Sequence, residues 1–390
     1  MKKQLLLTAG SLVLLFSACK KDTKKNDEAN LKIKYSTLTS TSHYFNTFKD
    51  DAGATTVNFD GQTTRIKMLS ELDAYMKKGT TSTLDVTKME NMFRNTNAPF
   101  TNAALNSATD KTIISKTAQS FSTANAELER QRFLSYFAKL KAASEHYTQV
   151  ATSGTAGLLE SKYLVNEKGI EYNQLVQKGL IGAMLLDQIS NIYLGTEKMA
   201  ADNEALIAGK NYTALAHNWD EAYGYLTANE YYPKPDPADA TKWLEVFLGS
   251  YARQVGPSVG GDPSAIYMAL LKGRAAIVNK DLTTRNAQIT AVRSSLEKAI
   301  ATIAISYLNK TKTATSNGAK MHSLAEGVGF VYSLRFAFNA KVNATKSQEL
   351  MDALMNKPNG FWDLTNADID AVRDQIATLT GVDKAAVVNH

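Results

Sequence analysis

A chain of 390 residues with 44 Lys and Arg against 38 Asp and Glu carries a net charge of +6. Residues 1–31 hold six lysines and three acids, so only +3 is left for the remainder, too little to mark a nucleic-acid-binding surface. The single cysteine, Cys19, excludes disulfides within the chain and leaves little room for thiolate or soft-metal chemistry.

The chain opens with MKKQLLLTAGSLVLLFSACKKD. Lys2 and Lys3 form a charged start, Leu5 to Phe16 a short apolar run, and Phe16-Ser17-Ala18 leads into Cys19 as a small-residue cleavage site does. This arrangement resembles the bacterial lipoprotein signal, in which residues 1–18 are removed and Cys19 becomes the lipidated first residue. An ordinary secretory signal is the alternative, but the only cysteine falls where lipidation requires it. The apolar run is too short to span a membrane, whereas several acyl chains on one residue anchor stably. Lys20, rather than Asp, after the cysteine is compatible with outer-membrane sorting. The expected location is therefore the outer membrane, lipid-anchored, on its periplasmic face or at the cell surface. Residues 19–31 are polar and free of aromatics and read as a flexible tether. Residues 32–390 read as one helical domain, long enough for a real core.

Strand-like alternation is scarce, with short candidates only at Lys32–Tyr35 and Thr55–Phe59. NFDGQ (58–62) is similar to a calcium loop but lacks the alternating aspartates and reads as a turn. Helical spacing then predicts helices over Thr64–Lys78, Val86–Arg94 and Ser122–Ala143, the last with Leu128, Phe133, Phe137 and Leu140 as its apolar face. Further helices are predicted over Ile170–Leu194, Tyr212–Ala228, Lys242–Arg253 and Ser264–Lys280. Ile289, Val292, Leu296, Ile300, Ile303 and Tyr307 then step by three and four along another, and Met321–Ala340 and Asn366–Ala377 follow. The proline cluster YYPKPDPADA (231–240) is the main internal punctuation. The predicted fold class is all-α, a duplicated helical bundle with a short irregular N-terminal segment.

The duplication is read from two matched strings on each side of that cluster. QKGLIGAMLLD carries Gly179 and Asp187, and LKGRAAIVNKD carries Gly273 and Asp281, the aspartate eight residues after the glycine in both. HNWDEAYGYL and HSLAEGVGFV align His217, Glu221 and Gly224 with His322, Glu326 and Gly329. The offset is 94 residues for the first pair and 105 for the second, which places related segments near 169–229 and 263–338. On a helix, the glutamate and glycine of each motif fall within about 40° of the histidine. Gly224, Gly329, Gly179 and Gly273 would each let a neighbouring helix approach closely.

If the halves meet about a pseudo-two-fold axis, His217, Glu221, His322 and Glu326 could gather into one site, with Asp220 beside them. Imidazole and carboxylate suit zinc, iron or another divalent ion, and helical bundles build such sites from inward-facing His and Glu. The plainer alternative is a hydrogen-bonded His–Glu pair in each half that serves only packing. His43, His146 and His390 lack a partner pattern, and Trp219, Tyr223, Tyr225 and Trp243 read as core aromatics. There is no His-Glu-x-x-His, no phosphate-binding loop and no Gly-x-Ser-x-Gly elbow.

YSTLTSTSHYFNTF (35–48), FDGQTTRIKMLSELDAYM (59–76), HNWDEAYGYL and GFWDLTNADIDAVRDQIA (360–377) are similar to an uncharacterised bacterial lipoprotein family, a domain of unknown function that takes in nearly the whole chain. More distantly the chain resembles the imelysin-type lipoproteins, which have two related helical bundles, a Gly-x-His-x-x-Glu motif and links to iron uptake. Here the spacing is His-x-x-x-Glu, and Leu215 stands where that motif has glycine. The doubled His/Glu face in an exported chain points to an outer-membrane-anchored, non-enzymatic protein that binds a ligand, a metal or iron chelate being the leading choice, in support of uptake and with uptake-system proteins as candidate partners. The alternatives are a metallopeptidase with Glu as general base, or a structural, partner-binding lipoprotein.

Overall fold

Every residue from Ala299 to Leu308 is buried, and this stretch lies within the longest helix of the protein. A helix that is wrapped on all sides must be surrounded by others, and the architecture follows from that need. The computed structural model describes residues 28–235, 237–238, 247–255 and 265–388. The expected signal, Cys19, Trp243 and His390 lie outside the described residues, as does most of the expected tether.

In chain order the helices begin with α1 (Tyr44–Thr47), α2 (Asp60–Lys77), α3 (Val86–Arg94), α4 (Ala103–Ser107) and α5 (Thr123–Ser144). A small antiparallel hairpin follows, β1 (Gly157–Leu159) and β2 (Tyr163–Val165), with Leu158 opposite Leu164. Then come α6 (Tyr172–Leu180), two π-helical segments (Ile181–Leu186 and Gln188–Tyr193), α7 (Thr196–Met199), α8 (Ala214–Leu226), α9 (Leu248–Val255) and α10 (Ala265–Val278). The chain closes with α11 (Leu282–Thr313), α12 (Asn317–Ser333), α13 (Ala344–Met355) and α14 (Asn366–Thr380). The protein is thus predominantly all-α. The central helix α11 packs against α9, α10, α12 and α14, while α6 lies between α12 and α5.

Local chemistry sets the helix ends. Ser122, Thr213, Asp281 and Ser316 accept backbone N–H bonds as N-caps of α5, α8, α11 and α12. Thr365 and Asp368 form a reciprocal capping box on α14, and Gly381 ends it in the left-handed conformation at φ 70°.

Several sequence expectations need correction. Neither Lys32–Tyr35 nor Thr55–Phe59 is a strand. Ile33 is instead held by the Asn279 side chain, which accepts from its N–H (3.0 Å) and donates to its carbonyl (2.8 Å). Thr55 joins Lys49 in a single bridge only. Leu128 is 68% exposed, because it lies five residues before Phe133 and so rotates about 140° off the face that Phe133, Phe137 and Leu140 share. The predicted helix over Ile170–Leu194 changes character at Ile181, where the π-helical segments begin. The helix α13 was not read from the sequence.

Burial of charge is the other organising feature. Asp220 on α8 and Arg274 on α10 are fully buried and meet at 2.9 Å. Tyr44 donates to the same Asp220 oxygen (2.9 Å), Arg274 reaches Thr56 (3.2 Å), and its guanidinium lies 4.9 Å over Phe48. The N-terminal segment is thereby fastened to α8 and α10. Burial pushes the Asp220 carboxyl up, against the pull of Arg274 and Tyr44. At the other end Glu129 on α5 binds Arg335 (2.8 Å), Arg132 (2.9 Å) and the Tyr332 hydroxyl (2.9 Å). Burial favours the neutral Glu129 carboxyl, but Arg335 and Arg132 outweigh it and hold its pKa below the usual glutamate range.

Two outcomes follow. At Gly273 an added Cβ would lie 2.0 Å from Cζ2 of Trp219, whose indole donates to the Leu270 carbonyl (2.9 Å) and cannot retreat freely. Gly273→Ala should therefore destabilise by roughly 1–3 kcal/mol in urea unfolding, the opposite sign to the usual gain of glycine-to-alanine in a helix. Glu129→Gln should cost about 3 kcal/mol at pH 7. Because the folded-state pKa of Glu129 is depressed, its contribution is full above the unfolded value and is lost as pH falls through the folded one. The gap between variant and wild type should begin to narrow below about pH 4 and go on narrowing in melts at lower pH.

Candidate functional site

The two histidine helices come to rest in different surroundings. On α8 the His217 ring stacks on Tyr212, with centroids 4.8 Å apart, and its Nε2 lies 3.9 Å from Glu221 Oε1. Its Nδ1 is buried and reaches no partner among the described residues. Glu221 is engaged elsewhere, accepting from Gln62 Nε2 of α2 (2.8 Å) and from the Tyr193 hydroxyl of the second π segment (3.3 Å). Burial, followed by the charge of Glu221, pushes the Tyr193 hydroxyl well above its ordinary pKa. Asp220 points to the other side of α8, into its ion pair with Arg274. One residue along a helix is a rotation of about 100°, so adjacency in sequence separates the two carboxylates.

On α12 the imidazole of His322 bridges two carboxylates. Its Nδ1 is 2.7 Å from Glu171 Oε2, and its Nε2 is 3.5 Å from Glu326 Oε2. Tyr163 of β2 covers one ring face at 4.7 Å. Glu326 continues the chain of charge inward, with Oε1 3.0 Å from Lys178 Nζ. Lys178 also donates to Gln177 and sits 5.2 Å over the ring of Tyr251, whose hydroxyl is 3.4 Å from that of Tyr307. Every residue of α6 is buried, and Glu171 is its N-cap. Burial pushes both tyrosine hydroxyls up, and the Glu326 charge adds to it.

Beside His322 lies a pocket of about 230 Å³. Its walls include Glu171, Asn173 and Gln174 from the start of α6, Tyr163 and Leu164 from β2, and Met76 at the end of α2. Asn173 Oδ1 and Gln174 Oε1 are buried and accept no hydrogen bond among the described residues. A buried amide oxygen without a donor is costly, of order 1–3 kcal/mol, unless something else satisfies it.

The predicted site residues therefore do not form one cluster. His322 and Glu326 come together with Glu171 and Lys178, His217 and Glu221 with Gln62, Tyr193 and Tyr212, and Asp220 with Arg274. Among the described residues no group of three or more His, Cys, Asp or Glu side chains is arranged to hold a metal ion. Both nitrogens of His322 already face carboxylates. The matched helices do pair, but crosswise, α6 on α12 and α10 on α8. A Cβ at Gly329 would lie 2.5 Å from Lys178 Cβ, one at Gly224 2.6 Å from Phe59 Cβ, and one at Gly179 3.1 Å from Phe133. The match breaks down in the partners. Lys178 meets Glu326, whereas Lys272, its counterpart, lies over the Tyr35 ring at 5.2 Å.

Glu171, Lys178, Tyr163 and Gln62 were missed as site residues. Lys178 stood beside a glycine already singled out, which was the one available signal. Glu171 lies 151 residues from His322 and offered none.

An all-α chain whose described residues share one core and carry two separate polar His/Glu sites is the class that this geometry defines. The chain belongs to the family described as Domain of unknown function (DUF4856), which matches residues 43–383. No curated protein and no solved structure matches it.

The two sites should respond unequally to loss of charge. Lys178→Ala leaves Glu326 buried without its cation and should cost roughly 3–5 kcal/mol in chemical denaturation. Glu221→Gln keeps the Gln62 and Tyr193 bonds at a partly exposed position and should cost less than about 1 kcal/mol.

Proposed function

We propose that this protein is an exported, lipid-anchored binding protein without catalytic activity, and that its ligand seats in the pocket at His322. The observation that carries the reading is the pocket wall, where a His322–Glu171 pair adjoins two buried amide oxygens that lack donors. Polar groups left unsatisfied around a cavity are what a bound molecule would complete.

The wall also defines the ligand. Glu171 Oε2 is taken by His322, while Oε1 has no partner among the described residues, so a donor on the ligand has an anionic acceptor waiting. Met76, Leu140 and Leu164 supply an apolar side. The volume lies below the roughly 300–1,000 Å³ of drug-sized sites. Two cations also line the pocket, Lys77 paired with Asp73 and Lys162 over the Tyr163 ring. A small organic molecule with an amine or hydroxyl head directed at Glu171 and a short apolar body fits these constraints. A metal would arrive as a complex that brings its own ligands, because both nitrogens of His322 face carboxylates and no group of three ligating side chains is arranged for an ion among the described residues. Support of nutrient uptake is the role that the expected outer-membrane address favours.

The test is a thermal-shift screen of small amines, amino acids and polyols on the purified protein, with iron and zinc salts alongside. A ligand at a hundred times its Kd adds about 2.7 kcal/mol and should raise the melting temperature by several degrees. His322→Ala and Glu171→Gln should remove that shift, and His217→Ala should leave it. Shifts that survive both pocket variants would overturn the reading, as would a tightly held metal lost only when His217 and His322 are replaced together.

A further inference from the structure

A second cavity, away from both histidines, opens between the first three turns of α11 and the segment that runs from the second π segment through α7. Its volume is about 780 Å³. Leu194, Met199, Leu215, Leu282 and Ile289 give it an apolar wall. Its charged groups are Lys280, Arg285, Arg293 and one acid, Glu204, which is already paired with Lys280.

The two arginines are the unusual feature. Arg285 donates to the Met199 carbonyl (2.8 Å) and to the Asn286 side chain (2.8 Å). Arg293 donates to the carbonyls of Ser190 (2.8 Å) and Leu194 (2.8 Å), and its guanidinium lies 3.6 Å over the Phe338 ring. Both are half-buried, and neither touches a carboxylate among the described residues. The two most deeply buried arginines do: Arg274 has Asp220 and Arg335 has Glu129, whereas Arg65 is held by the Thr112 and Gly61 carbonyls. Carbonyl oxygens and a ring face orient these two guanidinium groups but do not neutralise them. Burial alone lowers both pKa values, that of Arg293 to about 10, with no opposing anion. Removing a charge from water without a counter-ion is expensive, and here it is done twice along one helix face.

We propose that this cleft binds an organic anion, a carboxylate or phosphate on an apolar body, with Arg285 and Arg293 holding the head group and the Leu194–Met199–Leu215–Ile289 wall the body. Arginine suits such a head because its planar fork can give two parallel bonds while its remaining donors keep their carbonyls. The site is independent of the pocket at His322, so either can fail without the other.

Calorimetry on the full-length protein with decanoate, decyl phosphate and decanol, below their micelle concentrations, tests this directly. The two anions should bind and decanol should bind at least tenfold more weakly. Arg285→Gln with Arg293→Gln should weaken the anions tenfold or more. Thr290→Glu keeps both arginines and places a carboxylate one turn before Arg293. It should block the anions without lowering the melting temperature, which separates loss of the site from loss of the fold. Flotation with phosphatidylglycerol vesicles distinguishes the source of the anion, since capture that depends on the arginines would assign it to lipid head groups. Decanol binding as tightly as decanoate, unchanged binding by Thr290→Glu, or no binding of either soluble anions or vesicles would each overturn the proposal.

Discussion

Asp220 and Arg274 meet at 2.9 Å where water does not reach, and much of the molecule depends on their meeting. Neither could be buried alone, since an unpaired charge in the interior costs several kcal/mol. Their pairing fixes how α8 lies on α10. Through Tyr44, Thr56 and Phe48 it also brings the irregular N-terminal segment onto that helix pair. Gly273 belongs to the same arrangement, because only a residue without a side chain lets the Trp219 indole lie flat against α10. Lys178 and Glu326 do the equivalent work between α6 and α12, where Gly329 admits the lysine's stem. In these two pairs the close helix approach goes with a glycine.

Much of this was legible in the residues themselves. Proline placement and three-four spacing located most helices. What was illegible was non-local or locally atypical. The hairpin turns through Glu160 and Ser161 at positive φ, where glycine or asparagine would have signalled it. The candidate site was half legible. His322 and Glu326 were visible from a spacing that puts them on one face, but no local pattern announces Glu171, which arrives from another helix. The expected union of the two histidines rested on symmetry of sequence, and the helices pair crosswise instead.

The two cavities divide the polar chemistry of the protein. The smaller offers acceptors, Glu171 and the amides of Asn173 and Gln174, beside Lys77 and Lys162, and it adjoins a string of polar contacts that runs through His322 and Glu326 to Lys178. The larger is cationic and apolar, with its guanidinium groups held by carbonyls.

The π-helical segments alter what sequence spacing means here. Gly179 and Asp187 are eight residues apart, as are Gly273 and Asp281, and the equality suggests matching positions. Between the first two the backbone widens into its π form, and Asp187 ends fully buried, receiving Ser120 and Asn191. Between the second two α10 has ended, and Asp281 caps the start of α11 instead. The same count of residues thus leads to a helix interior in one case and a helix boundary in the other. A wider helix spends residues without gaining equivalent length, so sequence distance across residues 181–193 is a poor ruler for this protein. Alignments that place it against other chains should allow their register to slip there.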